Sequence, residues 1–304
     1  MPASPGAYMA LSRLPGLPEK SGRTNPRTAL SVNRFMSSAA STQTPLIIGH
    51  RGASAVAPEN TLVSFERAMS DGAGGIEFDV RLARDRVAVV IHDANLRRTG
   101  LMAGDVASLS SSELGRIDVG TWFNLRHPAS AQTSYAEARV PTLAEVFEQF
   151  KERDATLYVE MKCGSNEGRA LASEVARQVR ARSLVERVVV ESFNHDSILE
   201  IKRIDSSIRT AALFEPRLAR PFPSVRSMIE RASAARADQV ALHRTLAGRR
   251  ITEEAARAGM RTVVWTVDSP SWIGRARRYG VHAVITNNPA SMSARLRAEP
   301  SAAG

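Results

Sequence analysis

The chain has 304 residues, 43% hydrophobic and 24% charged, the make-up of a globular protein with one large domain or two modest ones. The formal net charge is +10, yet aromatics total only 5% and no basic run is interleaved with them, which excludes nucleic acid as the expected partner. The single cysteine, Cys163, excludes an internal disulfide framework and suits a reducing, cytoplasmic setting. No run of about 18 apolar residues is present, so neither a transmembrane helix nor stable membrane insertion is expected.

Residues 1–43 carry Arg13, Lys20, Arg23, Arg27 and Arg34 against Glu19 alone. Such an Arg/Ser-rich, acid-poor segment resembles an organellar transit peptide, the minor alternative for localisation. Pro5, Pro15, Pro18 and Pro26 would interrupt any long amphipathic helix, and a disordered basic extension is the expectation.

From Pro45 onward, short apolar, β-branched runs occur at 46–48, 75–80, 87–91, 156–161, 187–193, 209–214, 239–242, 261–267 and 283–286. Helical periodicity fills 60–70, 142–152, 167–182, 195–204, 224–236, 251–258 and 270–279 between them. That alternation predicts a parallel sheet with crossover helices. The linker "RLARDR" between the second and third runs is too short for a parallel crossover, so these two strands form an antiparallel hairpin turning at Asp85-Arg86. Removing the return strand leaves eight strands, which predicts an α/β fold of the (β/α)8 TIM-barrel type over residues 44–290, with 291–304 as a C-terminal tail. A doubly wound open sheet is the alternative, but no Gly-rich fingerprint follows the first strand. Residues 94–141 show no clear strand or long helix and predict an inserted lobe.

Charges inside these apolar runs require compensation. Glu77 and Asp79 share one face of the second strand by its two-residue period, and Glu160 and Lys162 share one face of the fourth. With a two-residue turn, His92 stands opposite Asp79. His50 and Arg51 end the first strand. Barrel strands bring their C-terminal ends to one mouth, so Glu77, Asp79 and Glu160 would cluster there and could not all stay ionised without a cation. Oxygen-only ligation suits one hard divalent ion, Mg2+ or Ca2+. His50 and His92 flank the cluster as groups able to move a proton, and Arg51 and Lys162 suit a phosphate. The sum is metal-assisted phosphoryl transfer.

"HRG", "APENT", "IEFDV", "VVIHD", "VEMK", "VPTLAEVF", "VVVESFN", "VVWTVD" and "VITNNP" follow in order and span 46–289. Together they resemble the signature of the glycerophosphodiester phosphodiesterases. That resemblance implies a TIM barrel, a divalent ion, a small-molecule glycerophosphodiester as partner, and hydrolysis to sn-glycerol 3-phosphate and an alcohol. It implies His50 and His92 as the acid/base pair, Glu77, Asp79 and Glu160 as metal ligands, Arg51 and Lys162 on the phosphate, and Trp265 beside the glycerol or alcohol. His92 has a second implied role as a ligand. Two departures stand out: the hairpin turn is Asp85-Arg86 where Asp-Gly is usual, and a late Thr-Asp appears as Thr286-Asn287. The nearest rival is a lysophospholipase D or a phosphatidylinositol phospholipase C-like lipid phosphodiesterase, disfavoured by a polar insert. A non-catalytic phosphate-binding barrel is the second alternative. Nothing in the sequence specifies an oligomeric state.

Among the remaining residues, Asn60 is expected to cap the first helix and Gly52 to supply backbone freedom. Glu59 could serve the helix dipole or the site. Cys163 reads as a small buried residue, and Trp122 and Phe123 as packing for the lobe.

Overall fold

The computed structural model describes residues 44–164, 166–216 and 223–298, and the extension expected over 1–43 lies outside them. β1 (Leu46–His50) leads into α1 (Leu62–Ser70), and β2 (Gly75–Leu82) folds back as β3 (Ala88–Val90). A long excursion follows, holding three short 3-10 turns, α2 (Ser111–Leu114) and α3 (Thr121–Arg126), and it ends at α4 (Leu143–Phe150). Regular alternation then resumes with β4 (Thr156–Met161), α5 (Gly168–Ala181), β5 (Val188–Ser192), α6 (His195–Ile204), β6 (Arg209–Phe214), α7 (Val225–Ala234) and β7 (Gln239–His243). It closes with α8 (Arg249–Arg257), β8 (Arg261–Trp265), α9 (Trp272–Tyr279), β9 (Ala283–Thr286) and α10 (Pro289–Ala298). Strand order β1-β9-β8-β7-β6-β5-β4-β2-β3, with β1 also paired to β2, closes eight parallel strands into a barrel and leaves β3 antiparallel on β2. The expected (β/α)8 barrel is the fold.

The two-residue period sorts each strand. Ile76, Phe78 and Val80 of β2 and Leu157, Val159 and Met161 of β4 join the apolar layer between barrel and helices. The alternate positions point inward, where Ile48, Tyr158, Val189, Ala211, Leu213, Ala241, Val263 and Ile285 pack. Within this interior the Tyr158 hydroxyl donates to Gln239 Oε1 at 3.0 Å. The next inward residues along β2, β4 and β5 are acids, because the register sets Asp79 opposite Glu160 and Glu160 opposite Glu191. Glu77 lies opposite His50 on β1 in the same way.

The hairpin differs from expectation by one residue. Val80 faces Val90 and Leu82 faces Ala88, and Ala83 N–H donates to the Val87 carbonyl at 2.9 Å, leaving a three-residue loop. Arg86, at φ 64°, takes the left-handed position that such loops require after a type I turn. Ile91, not His92, therefore answers Asp79, through its N–H to the Asp79 carbonyl at 3.0 Å. At the C-terminus, the segment read as a tail from 291 is helical as far as Ala298, with Met292 and Ser293 buried. Its Pro289 stands at the first helical position, where a missing N–H costs nothing.

The excursion builds the expected lobe around Leu96, Val106, Leu114 and Val119, which pack on Val89 and Ile91 of the hairpin. Trp122 and Phe123 pack with Tyr135 and Ala57, and the Tyr135 hydroxyl donates to the Val56 carbonyl at 3.1 Å. That contact ties the lobe to the β1–α1 loop. Cys163 is half-buried rather than buried, with its Sγ 3.3 Å from Ser197 Oγ.

Candidate active site

Glu77, Asp79 and Glu160 come together at the strand ends, each offering an oxygen within 4.8 Å of the others, and all three are buried. Glu77 Oε1 is buried without a hydrogen-bond partner, the state of a carboxylate oxygen shaped for a cation. The donor set fits a hard divalent ion, being three carboxylates and no sulfur. Burial and the neighbouring Asp79 push Glu77 well above the usual carboxylate range. Burial and Asp79 likewise push Glu160 up to about 7, against the pull of Lys162. Asp79 goes the other way: burial alone would raise it, but Arg51 and Lys162 hold it well below the usual range.

Three neighbours fix Asp79. Arg51 Nε lies 3.1 Å from Oδ2 and Lys162 Nζ lies 3.2 Å from Oδ1. Asn60 donates Nδ2–H to Oδ2 at 2.8 Å and accepts the Asp79 N–H at 3.2 Å. Asn60 is therefore not the helix cap. Thr61 fills that position, its hydroxyl accepting the Ser64 N–H at 3.2 Å, while Asn60 stands at φ 59° as a clamp on the acid. Arg51 also takes a left-handed conformation, φ 52°, which turns its N–H onto Glu77 Oε2 at 3.0 Å. Strain of this kind persists where the surroundings over-determine it. Gly52 follows at φ 86°, and a Cβ there would stand 2.6 Å from the Ser64 backbone, so glycine is required.

The two histidines hold their rings differently. Asn287 donates Nδ2–H to Asp268 Oδ2 at 2.8 Å, which orients its amide and turns Oδ1 toward His50 Nδ1 at 2.6 Å. His50 must then carry its proton on Nδ1, leaving the Nε2 lone pair free, 3.9 Å from Glu77 Oε2. Burial, and then Arg51, lower His50 to about 4, so it is neutral at ordinary pH. His92 Nδ1 lies 2.6 Å from Asp93 Oδ1, and Arg98 Nε donates to Asp93 Oδ2 at 2.8 Å. Burial lowers His92 as well, with Asp79 and Asp93 opposing. Although the register put Ile91 opposite Asp79, His92 still lines the mouth, because β3 ends at Val90 and the pleat no longer dictates its direction. Arg81 Nε donates to the His92 carbonyl at 2.8 Å and holds this turn in place.

Lys162 Nζ lies 2.8 Å from Glu160 Oε1 and over the Phe193 ring at 5.9 Å. His50, Arg51, His92 and Lys162 all border one cavity of about 130 Å3 with Glu77 and Glu160, and Asp79 is buried beside them. Trp265 walls it as well, its ring set edge-on to Phe193 at 5.6 Å. The mouth thus brings together His50, Arg51, Glu77, His92, Glu160, Lys162 and Trp265, with Asp79 against the two glutamates.

Sequence reasoning left out several others. Glu191 reaches the same cavity, 1% exposed, pushed well up by burial and by Glu160. Its signal was available: an acid late in an apolar strand, as at Glu77. Glu59, left between two readings, accepts Nη1–H of Arg51 at 2.9 Å and both Nη groups of Arg98 at 2.7 and 2.8 Å. Burial works against it, yet the Arg98 and Arg51 hydrogen bonds hold Glu59 below its ordinary value. Asp93 and Arg98 carried no signal, since a loop has no period to betray a buried charge. Asn287, the departure from Thr-Asp, is the amide that orients His50.

A parallel barrel with acids, two histidines and cations at its strand ends defines a TIM-barrel phosphodiesterase. The sequence pattern described as "Glycerophosphoryl diester phosphodiesterase family" matches residues 50–291. A glycerophosphodiester phosphodiesterase of Caldanaerobacter subterraneus subsp. tengcongensis is 31% identical, over 81% of this chain and 96% of the relative. One from Bacillus subtilis is 28% identical over 80% and 84% of the two chains. The crystal structure of a glycerophosphodiester phosphodiesterase from Agrobacterium tumefaciens superposes with a TM-score of 0.67 at 27% identity, covering 82% of this chain and 99% of that one. An Oleispira antarctica phosphodiesterase in complex with the product sn-glycerol-3-phosphate shares the fold, with a TM-score of 0.69 at 22% identity over 85% and 99%. The chain belongs to the glycerophosphoryl diester phosphodiesterase family.

Proposed function

We propose that this enzyme hydrolyses glycerophosphodiesters to sn-glycerol 3-phosphate and an alcohol, with Glu77, Asp79 and Glu160 holding one Mg2+ or Ca2+. The observation that carries the reading is the buried trio of carboxylates, two of which, Glu77 and Glu160, line one cavity with both histidines and with Arg51 and Lys162. Such an ion would polarise a phosphoryl oxygen and make phosphorus more electrophilic. His50, neutral and with Nε2 free, is fitted to take a proton from the attacking hydroxyl. His92, with the Asp93 carboxylate behind its ring, is fitted to give one to the leaving alcohol. Arg51 and Lys162 offset the charge that gathers on the phosphoryl oxygens.

A glycerol diester carries a free hydroxyl beside the esterified one. Attack by that hydroxyl forms a P–O bond as the alcohol leaves, gives a cyclic phosphate, and gains from proximity. Water then opens the ring. The test is hydrolysis of glycerophosphocholine by protein stripped with EDTA and by the same protein reloaded with Mg2+ or Ca2+. Activity should vanish on stripping and return on reloading, and bis(p-nitrophenyl) phosphate, which lacks the neighbouring hydroxyl, should react far more slowly. Undiminished turnover in chelator would sink the metal assignment, and equal efficiency on both diesters would sink the internal attack.

A cytoplasmic setting fits the lone cysteine, and no helix among the described residues is long and apolar enough to cross a membrane. One observation favours a lysophospholipid as a second reading. The exposed large hydrophobics of the described residues are Val63, Leu101, Met102 and Leu125, and all but Val63 lie in the lobe, which is less polar at its surface than its sequence suggests. Co-sedimentation with phosphatidylcholine vesicles decides: retention on the vesicles supports the lipid substrate, and its absence removes it.

A further inference from the structure

A second cavity, of about 450 Å3, lies between the barrel rim and the lobe and shares only His50 and Arg51 with the inner one. We infer that this outer cavity receives the leaving alcohol and favours an alcohol bearing a carboxylate or phosphate, which Arg126 would hold. The inference rests on the glycerophosphodiester reading. The phosphate belongs where the two cavities meet, beside Arg51, and the smaller chamber matches the three-carbon glycerol. The larger one is left for the variable group.

The chemistry of its lining points to an anion. Arg51, Arg98 and Arg126 border it against Glu59 and Asp268. Both acids already accept hydrogen bonds, and Glu59 is ion-paired with two arginines. Glu59 accepts from Arg51 and twice from Arg98. Asp268 accepts from Thr286 Oγ1 at 3.1 Å and from the Asn287 N–H and Nδ2–H at 2.8 Å each. Arg98 also donates its Nε–H to Asp93. Arg126, the last residue of α3, is exposed and has no ion-pair partner among the described residues. Arg126 is thus the one arginine of the lining that has no ion-pair partner among the described residues and keeps its donors for a ligand.

A choline-like cation would need an aromatic face. Trp122 is the indole of this cavity, but it is only 7% exposed and the Arg98 guanidinium already sits 5.4 Å over its ring. An ammonium group would meet a Glu59 already paired with two arginines and a ring capped by a cation, with only Asp268, drawn onto Asn287 and Thr286, to attract it.

The test compares three diesters of sn-glycerol 3-phosphate, with glyceric acid, glycerol and choline as the alcohol. The first two differ only in a carboxylate replacing a hydroxymethyl group. Wild-type kcat/KM should be highest for the glycerate diester and lowest for the choline diester. Arg126→Ala should reduce the glycerate-to-glycerol ratio roughly fivefold, within the range of exposed to hydrogen-bonded charge pairs, and Arg126→Glu should reduce it further. Added salt should narrow the wild-type ratio. Arg116→Ala removes the same charge from an exposed position on the lobe outside the cavity and should leave the ratio unchanged. A ratio unmoved in both Arg126 variants, a ratio moved equally by Arg116→Ala, or a wild-type preference for choline would each overturn the inference while leaving the phosphodiesterase reading intact. Failure of the metal-loaded enzyme to cleave any of the three diesters would sink that reading and the inference with it.

Discussion

The barrel supplies Glu77, Asp79 and Glu160 on strands, whereas the excursion supplies His92, Asp93, Arg98 and Trp122 on loops and a short helix. The strand-borne acids are placed by backbone register, as Asp79 opposite Glu160 shows, and no side-chain bond is needed to bring them together. The loop-borne groups have no ladder behind them. A chain of ion pairs and charge-assisted hydrogen bonds holds them instead, from Asp79 through Arg51, Glu59, Arg98 and Asp93 to His92. The lesson is that half of this site comes with the fold and the other half is fastened to it, which should give the two halves different mutational behaviour.

The histidines provide the largest test of that contrast. Alanine at His50 or His92 should lower kcat by roughly 10²–10⁴-fold, the range for a lost general acid or base, with the circular dichroism spectrum unchanged. Near-native rates in both variants would remove the acid/base assignment.

The fastening comes next in size. Asp93→Asn and Glu59→Gln each replace a carboxylate in the chain by an amide, and a hydrogen bond to a charged group is worth about 1.5–3 kcal/mol, so kcat should fall roughly 10- to 100-fold. Asp93→Asn should also change the basic limb of the pH–rate profile, because the imidazolium of His92 loses the anion behind it, whereas a purely structural role would lower the rate at every pH alike. Neither variant should alter cation affinity, measured calorimetrically, by more than a few-fold, since the ligands belong to the other half. A loss of affinity as large as the loss of rate would show that the two halves act as one.

The smallest effect concerns pH. Burial, and then Asp79, push Glu160 up to about 7 and Glu77 well above the usual carboxylate range. A carboxylate raised in the folded state contributes its stability below the ordinary value and loses it as pH climbs through the folded one. Chelated protein should therefore melt a few degrees lower at about pH 8 than at about pH 6. Cation affinity should rise over the same interval, as the ion displaces protons from the cluster. A chelated Tm that rises between these pH values would contradict this picture of the acids.

The same contrast explains what could be read from the sequence. Glu77, Asp79, Glu160 and Lys162 were legible because a charge inside an apolar strand is costly and a two-residue period fixes its face. Glu191 gave the same signal and was passed over. Asn60 was misassigned because an Asn just before an apolar helix looks the same whether it caps that helix or reaches a neighbouring strand. The hairpin slipped by one residue because its left-handed position is filled by Arg86, where a glycine would have marked a three-residue loop. α10 escaped notice since Pro289, Met292 and Ser293 make too weak a stripe to show a period. Asp93 and Arg98 depend on the lobe folding back over the rim, which no local pattern records.

Tyr158 and Glu160 are successive inward residues of β4, separated by roughly 7 Å along the strand. The first is fully buried in a close-packed plug, its hydroxyl bonded to Gln239, and the second opens onto the cavity. The passage from a poorly polarisable interior to solvent is thus one pleat deep. Negative charge set on the edge of such a plug has packed apolar side chains beneath it, which screen poorly, so its field is directed outward through the mouth. The packing that stabilises the barrel thereby also concentrates cations at the place where the acids wait for one.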